Sequence, residues 1–163
     1  GKRVEGERAT SPADDPAGTF RAPLPLGTEI DLDNGWQVKV SAVDLSPAVT
    51  DAIVAANPGS GTTPGFRYVT ADVRLTFVGD AVDTSAPASK VQLDLVATPG
   101  RSYPVVDILA NPPQPVVDLS DIVAKGDVVS GKVVFFVPAD TPTFVVRVAA
   151  IGSLPAEGWI AAS

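Results

Sequence analysis

The chain has 163 residues, 45 % of them hydrophobic and 19 % charged, with a net charge of −7, which fits one folded domain with a true hydrophobic core. It contains no Cys, His or Met, so thiolate and imidazole chemistry, disulfide staples and the ligands preferred by zinc, copper and haem iron are all absent. No apolar run approaches the roughly 18 residues of a membrane-spanning helix, and Lys and Arg are not clustered as nucleic acid or an anionic membrane surface would require.

Residues 1–24 carry Gly, Glu, Arg, Ser, Asp and several prolines (Pro12, Pro16, Pro23, then Pro25), with almost no apolar periodicity. Such a segment cannot bury enough surface to offset its ordering entropy, so a flexible linker over 1–24 and a domain over 25–163 are expected. A start at Gly1 without an initiator Met reads as a mature form after signal removal or as a fragment. From Leu26 onward, short strand runs are punctuated by Pro, Gly, Asn and Asp, the pattern of an all-β sandwich. Asp33-Asn34-Gly35 supplies the positive-φ residues of a tight hairpin, which pairs Thr28 to Asp31 with the strand that follows. In that strand Trp36, Val38, Val40 and Ala42 alternate with polar residues, and Val43 and Leu45 take the other parity, so a bulge or strand end is expected near Asp44. Pro47 to Asn57 is Ala-rich with Val49, Ala52, Ile53 and Ala56 at helical spacing and Asp51 in the first turn, which predicts one short helix.

The clearest strand runs from Phe66 to Val78, with Val69, Ala71, Val73, Leu75 and Phe77 facing inward and Tyr68, Thr70, Asp72, Arg74 and Thr76 outward. Val91, Leu93 and Leu95 form another, turned by Thr98-Pro99-Gly100 into a short strand at Arg101 to Val106. The stretch from Asp107 to Lys125 reads as mainly irregular. Val128 to Val137 is apolar on both faces near its end, as in a central strand. Phe144 to Ile151 and Glu157 to Ala161 complete seven to eight strands.

Each match to a reactive motif fails at a named residue. Gly126 to Lys132 fits seven positions of a phosphate-binding loop, but Val133 stands where Ser or Thr would hold magnesium and a strand follows, so turn-then-strand is the better reading. Gly59-Ser60-Gly61 lacks both the nucleophile-elbow spacing and a histidine base. Asp31-x-Asp33-Asn34-Gly35 has its glycine one position early for a calcium loop and no closing Glu, which favours the hairpin turn. Carboxylates are the abundant reactive class, and a pair at about 5 to 9 Å would serve glycoside hydrolysis. Asp31, Asp44, Asp72 and Asp94, however, fall at strand ends or outward positions, where a solvated surface is expected. Tyr68 falls on the polar face of its strand and Phe136 has the parity opposite Phe135; they are expected to cover a loop or partner sheet, with a recognition patch as the alternative. No catalytic, cofactor-binding or metal-binding residue is assigned, and no cofactor is expected.

Over residues 24 to 162 the chain resembles the telokin-like, immunoprotective-antigen-like (immunoglobulin-like) domain of unknown function found in actinobacterial lipoproteins and secreted proteins. The resemblance is carried by Leu26-Gly27 ahead of Gly35-Trp36-Gln37-Val38-Lys39-Val40, by Ala56-Asn57-Pro58 before Gly65-Phe66-Arg67-Tyr68-Val69, and by Gly131-Lys132-Val133-Val134-Phe135-Phe136-Val137-Pro138. It implies an immunoglobulin-like antiparallel β-sandwich in an extracytoplasmic setting, either secreted or tethered through an upstream lipidated Cys that this chain does not contain. The function expected on that basis is a non-enzymatic envelope or secreted module that binds an envelope protein, glycan or lipid, and no nucleic acid, through the loops 46–65 and 107–127. A carboxylate-dependent hydrolase of envelope glycan, or a structural or sensor domain of a larger assembly, are the alternatives.

Overall fold

In the computed structural model the described residues are 18–59, 63–79, 84–85, 87, 90–106, 111–119, 123–151 and 156–162. Strands β1 (Glu29–Asp31), β2 (Trp36–Asp44), β3 (Phe66–Phe77), β4 (Thr84–Ser85), β5 (Val91–Thr98), β6 (Arg101–Val106), β7 (Val123–Ala124), β8 (Val128–Pro138), β9 (Val145–Ala150) and β10 (Glu157–Ala161) are accompanied by one helix, α1 (Pro47–Ala56). Eight strands hydrogen-bond in the order β1-β2-β3-β8-β6-β5-β9-β10, and β4 pairs with β7 apart from them. Every ladder between named strands is antiparallel. The all-β antiparallel sandwich with a single short helix expected from the sequence is what the chain forms.

The two layers share β6. Its first half, Arg101 to Pro104, pairs with β5, and its last two residues, Val105 and Val106, pair with Phe135 and Val134 of β8. The period-two apolar sets point between the layers: Trp36, Val38, Val40, Val69, Leu75, Phe135 and Val137 from one, and Leu95, Val146, Val148 and Ile160 from the other, are almost wholly removed from water. At about 1.5 to 3 kcal/mol for each large side chain so buried, this core is the dominant stabilising term.

The extra residue in β2 sits earlier than expected. Val40 faces Val73 and Ala42 faces Asp72, so the register shift falls at Ser41 rather than near Asp44. Beyond the shift Val43 and Leu45 turn toward the core, while Ala42 and Asp44 take the outer face. Asp33 at φ 57° and Gly35 at φ 92° make the expected tight turn before Trp36.

Residues 18–24, the last part of the linker expected over 1–24, hydrogen-bond to β10. Leu24 N–H donates to Trp159 O at 2.8 Å, Ala161 N–H to Leu24 O at 2.8 Å and Trp159 N–H to Gly18 O at 3.1 Å, and the Phe20 ring meets Trp159 edge-on at 5.6 Å. The physical reason is that β10 closes one side of the sheet, and its outward backbone groups need partners that residues 18–24 provide. Gly27 N–H then reaches Val40 O, so the chain crosses from the edge of one layer to the other. The rest of that linker, residues 1–17, lies outside the described residues.

Helix α1 begins with Pro47, whose missing N–H costs nothing there, and ends at Asn57. Asp51 is its fifth residue, so no acidic side chain occupies the first turn. Val49 and Ile53 bury against Val134, Tyr68 and Val106 on the outer face of the sheet. Beyond the last β2 pair, Asp44 with Thr70, the Tyr68 N–H finds Thr50 Oγ1 at 2.9 Å instead of a strand. Buried Asn57 donates to Ile53 O and Asn111 O, both at 2.9 Å, and accepts from Asn111 N–H at 2.8 Å, fastening the helix end to the segment after β6. Phe136 stacks on Phe66 at 5.1 Å and meets the Tyr68 ring at a tilt at 4.9 Å, and Tyr68 packs against Val49 and Ile53 of α1.

Candidate functional site

Once Ser41 has shifted the register of β2, three strands aim short polar side chains into one place. Ala42 faces Asp72 and Asp44 faces Thr70 across β2 and β3, and Asp72 faces Lys132 across β3 and β8. Together with Val43 they line an open groove of about 300 Å³, at the small end of the range for ligand clefts. Because its walls are paired strands rather than loops, the groove is held rigidly.

Its electrostatics are set by three charges. Lys132 Nζ donates to Asp72 Oδ1 at 2.7 Å, with the lysine side chain 29 % and the aspartate 42 % exposed. Asp44 Oδ1 accepts the Ser46 N–H at 3.0 Å, just before α1. The Ser46 hydroxyl and N–H, followed by the nearby Lys132 ammonium, hold the Asp44 carboxyl below the ordinary aspartate range. Ser46→Ala is therefore expected to raise the Asp44 pKa part of the way back, because the backbone donor remains. A carboxyl NMR titration that showed no rise would remove the hydroxyl from this account. By linkage, the depressed folded-state pKa stabilises the fold above the unfolded-state value, and that contribution is lost as pH falls through the lower folded value.

The fourth polar group is Thr70. It is 6 % exposed and lines the groove, into which its hydroxyl opens; among the described residues the buried side-chain atom without a hydrogen-bond partner is Arg67 Nε. Among the described residues no three Asp, Glu, His or Cys side chains are placed to hold a metal ion.

The other residues weighed from sequence fall elsewhere. Gly126 turns the chain at φ 91°, and Gly131 lies inside β8, where the backbone of residues 115–117 passes so close that a Cβ would stand 2.7 Å from Val116 C. Their glycines thus serve a turn and a close backbone approach. Gly59 is described, but Ser60 and Gly61 lie outside the described residues. Asp31 and Asp33 belong to the hairpin turn, where Asp31 Oδ1 accepts the Asp33 N–H at 2.9 Å.

Asp94 departs from the expected solvated surface. It does take outward parity on β5, but it is only 2 % exposed. Arg147, opposite it on β9, lies over it with Nη1 3.6 Å from Asp94 Oδ2 and Nε 3.3 Å from Glu157 Oε2, and Gln92 Nε2 donates to Asp94 at 3.1 Å. A β5 position flanked on both sides by strands is easily shut off by one long neighbour. Among the described residues, none from the loops 46–65 and 107–127 lines the groove; Asn57 and Asn111 tie one loop to the other. In the sequence Lys132 figures only as the lysine of the failed phosphate-loop match and Thr70 only as an outward position of its strand, so neither points to the groove.

No family model matches this chain, and no curated protein matches it. Among solved structures it is similar to an uncharacterized β-sandwich protein from Clostridium difficile 630, with a TM-score of 0.51 and 9 % identity over 91 % of this chain and 100 % of that one. The likeness shows the fold alone, and the class it defines is an antiparallel β-sandwich domain.

Proposed function

We propose that the chain is a non-enzymatic binding module of the cell envelope or the secreted fraction, akin to the telokin-like domains of actinobacterial lipoproteins, and that it holds its ligand in the groove between β2, β3 and β8. The observation that carries this reading is the concave polar site on a rigid sheet face, lined by Asp44, Thr70, Asp72 and Lys132. The extracytoplasmic setting rests on the sequence resemblance.

A glycan hydrolase would use two carboxylates of one cleft, and Asp44 and Asp72 do share this groove. Such an enzyme needs one carboxyl kept as a proton donor by a raised pKa. Asp44 is shifted the other way, and Asp72 Oδ1 is occupied by the Lys132 ammonium. The test of the binding reading is retention of an envelope component by immobilised protein. The wild type and an Asp33→Asn control should retain it, and an Asp44→Asn, Asp72→Asn, Lys132→Met triple variant should not. Equal retention by the triple variant would refute the groove as the site.

A further inference from the structure

We propose that Asn34, at the tip of the β1–β2 hairpin, is a site of spontaneous modification: its side-chain amide closes onto the Gly35 nitrogen as a succinimide, and the products untie the hairpin from the start of β5. The site precedes the first residue of β2, at the opposite end of that strand from the groove, and stands independently of the binding reading. In the reaction the Gly35 backbone nitrogen attacks Asn34 Cγ. The new C–N bond forms as the Cγ–Nδ2 bond breaks, and Nδ2 leaves as ammonia with the proton that Gly35 gives up. Water then opens the ring at either carbonyl, which yields aspartate or isoaspartate at position 34. A glycine in the next position leaves the attack unhindered, because it has no Cβ. The other asparagines, Asn57 and Asn111, are each followed by proline, whose nitrogen carries no proton to give up and cannot make this attack.

The fold demands both members of this labile pair. Gly35 has φ 92°, and a Cβ there would stand 2.9 Å from Phe77 Cε1 and 3.4 Å from Gly79 Cα, so the position calls for glycine. Asn34 bridges two partners: Oδ1 accepts the Trp36 N–H at 3.1 Å, and Nδ2 donates to Lys90 O at 2.9 Å. The second bond ties the hairpin to the chain entering β5. Both bonds hold the amide that must turn onto the Gly35 nitrogen, and Gly35 O is itself held by the Val78 N–H at 2.7 Å. Ring closure therefore waits on a local opening of the hairpin tip, not on unfolding of the whole domain. In aspartate an acceptor oxygen replaces the Nδ2 donor and faces the Lys90 carbonyl with no proton between them, beside Asp31 and Asp33. In isoaspartate the backbone of the tight turn gains a carbon. Either change is one-way, because the ammonia has left.

The test incubates the intact protein in warm, mildly alkaline buffer, with and without denaturing urea, and follows the amide-to-acid mass gain by peptide mapping, with aspartate and isoaspartate separated. The folded protein should gain acid slowly at position 34 and not at Asn57 or Asn111, with both isomers present, and urea should speed the reaction several-fold. No gain at position 34 in either state would overturn the proposal outright. Aspartate without isoaspartate would mean direct hydrolysis and overturn the attack by Gly35. A rate in urea no faster than in the native protein would overturn the hold of the two hydrogen bonds. A native protein that stays unmodified while the unfolded chain reacts would overturn Asn34 as a site of the folded molecule. Asn34→Asp, which stands in for one product, tests the untying. It should lower the urea midpoint and speed hydrogen exchange of the Ile151 amide, which shares the Lys90 carbonyl at 3.0 Å. If both stayed at their wild-type values, the tie between the hairpin and β5 would be refuted.

Discussion

Replacing Gly131 with alanine is expected to lower the unfolding free energy by about 3 kcal/mol, read as a fall in the urea midpoint with an unchanged slope. Two costs combine at this position. The backbone has φ 147°, a conformation that L side chains rarely adopt, and an added Cβ would lie 2.7 Å from both Val116 C and Val117 N and 2.8 Å from Pro115 O. The obstacle is backbone, and it is held in place, since Lys132 N–H donates to Pro115 O at 2.7 Å and Val117 N–H to Lys132 O at 3.2 Å. A flexible side chain could swing aside; this strap can only detach. Gly126→Ala provides the comparison, because Gly126 also has positive φ, at 91°, but a Cβ there meets nothing within 4 Å. Its cost should be the strain alone, about 1 kcal/mol. Because Lys132 is the next residue, Gly131→Ala should also disturb the Lys132–Asp72 pair and hence the groove. Equal costs for the two alanines would mean that the strap yields freely.

The strands were legible because their information is local. Val69, Ala71, Val73, Leu75 and Phe77 announce a buried face by alternation alone, and Pro47 with Asn57 brackets α1 by the chemistry of helix ends. Residues 18–24 carry no such local signal. Phe20 and Leu24 show no period, and what orders them is the outward edge of β10, far away in sequence. Asp94 teaches the same lesson, since its parity was right and its burial depends on Arg147 of another strand.

The groove was less legible than the fold. Thr70, Asp72 and Lys132 each look like ordinary outward residues, and only the pairing of β3 with both β2 and β8 brings them together. The one local signal was the break in alternation after Ala42. It was placed near Asp44, whereas a shift at Ser41 leaves both Ala42 and Asp44 facing outward to line the site.

Phe135→Ala should destabilise the protein by about 3 to 5 kcal/mol, the cost of emptying a buried phenylalanine site that cannot collapse. Phe135 has no exposed surface and stands opposite both Val69 of β3 and Val105 of β6, at the point where β6 passes from one layer to the other. Phe66→Ala, which removes a ring 40 % exposed and stacked on Phe136, should cost only about 1 kcal/mol. The two tryptophans make the stronger test, since Trp36 begins β2 in one layer and Trp159 lies in β10 of the other. With Trp36→Phe and Trp159→Phe backgrounds, fluorescence follows each layer separately. If one core joins the layers through β6, Phe135→Ala should lower the midpoint equally by both probes, because a cooperative domain unfolds as a unit. A drop seen by Trp36 alone would mean that the layers unfold independently and that β6, although hydrogen-bonded to both, does not couple them.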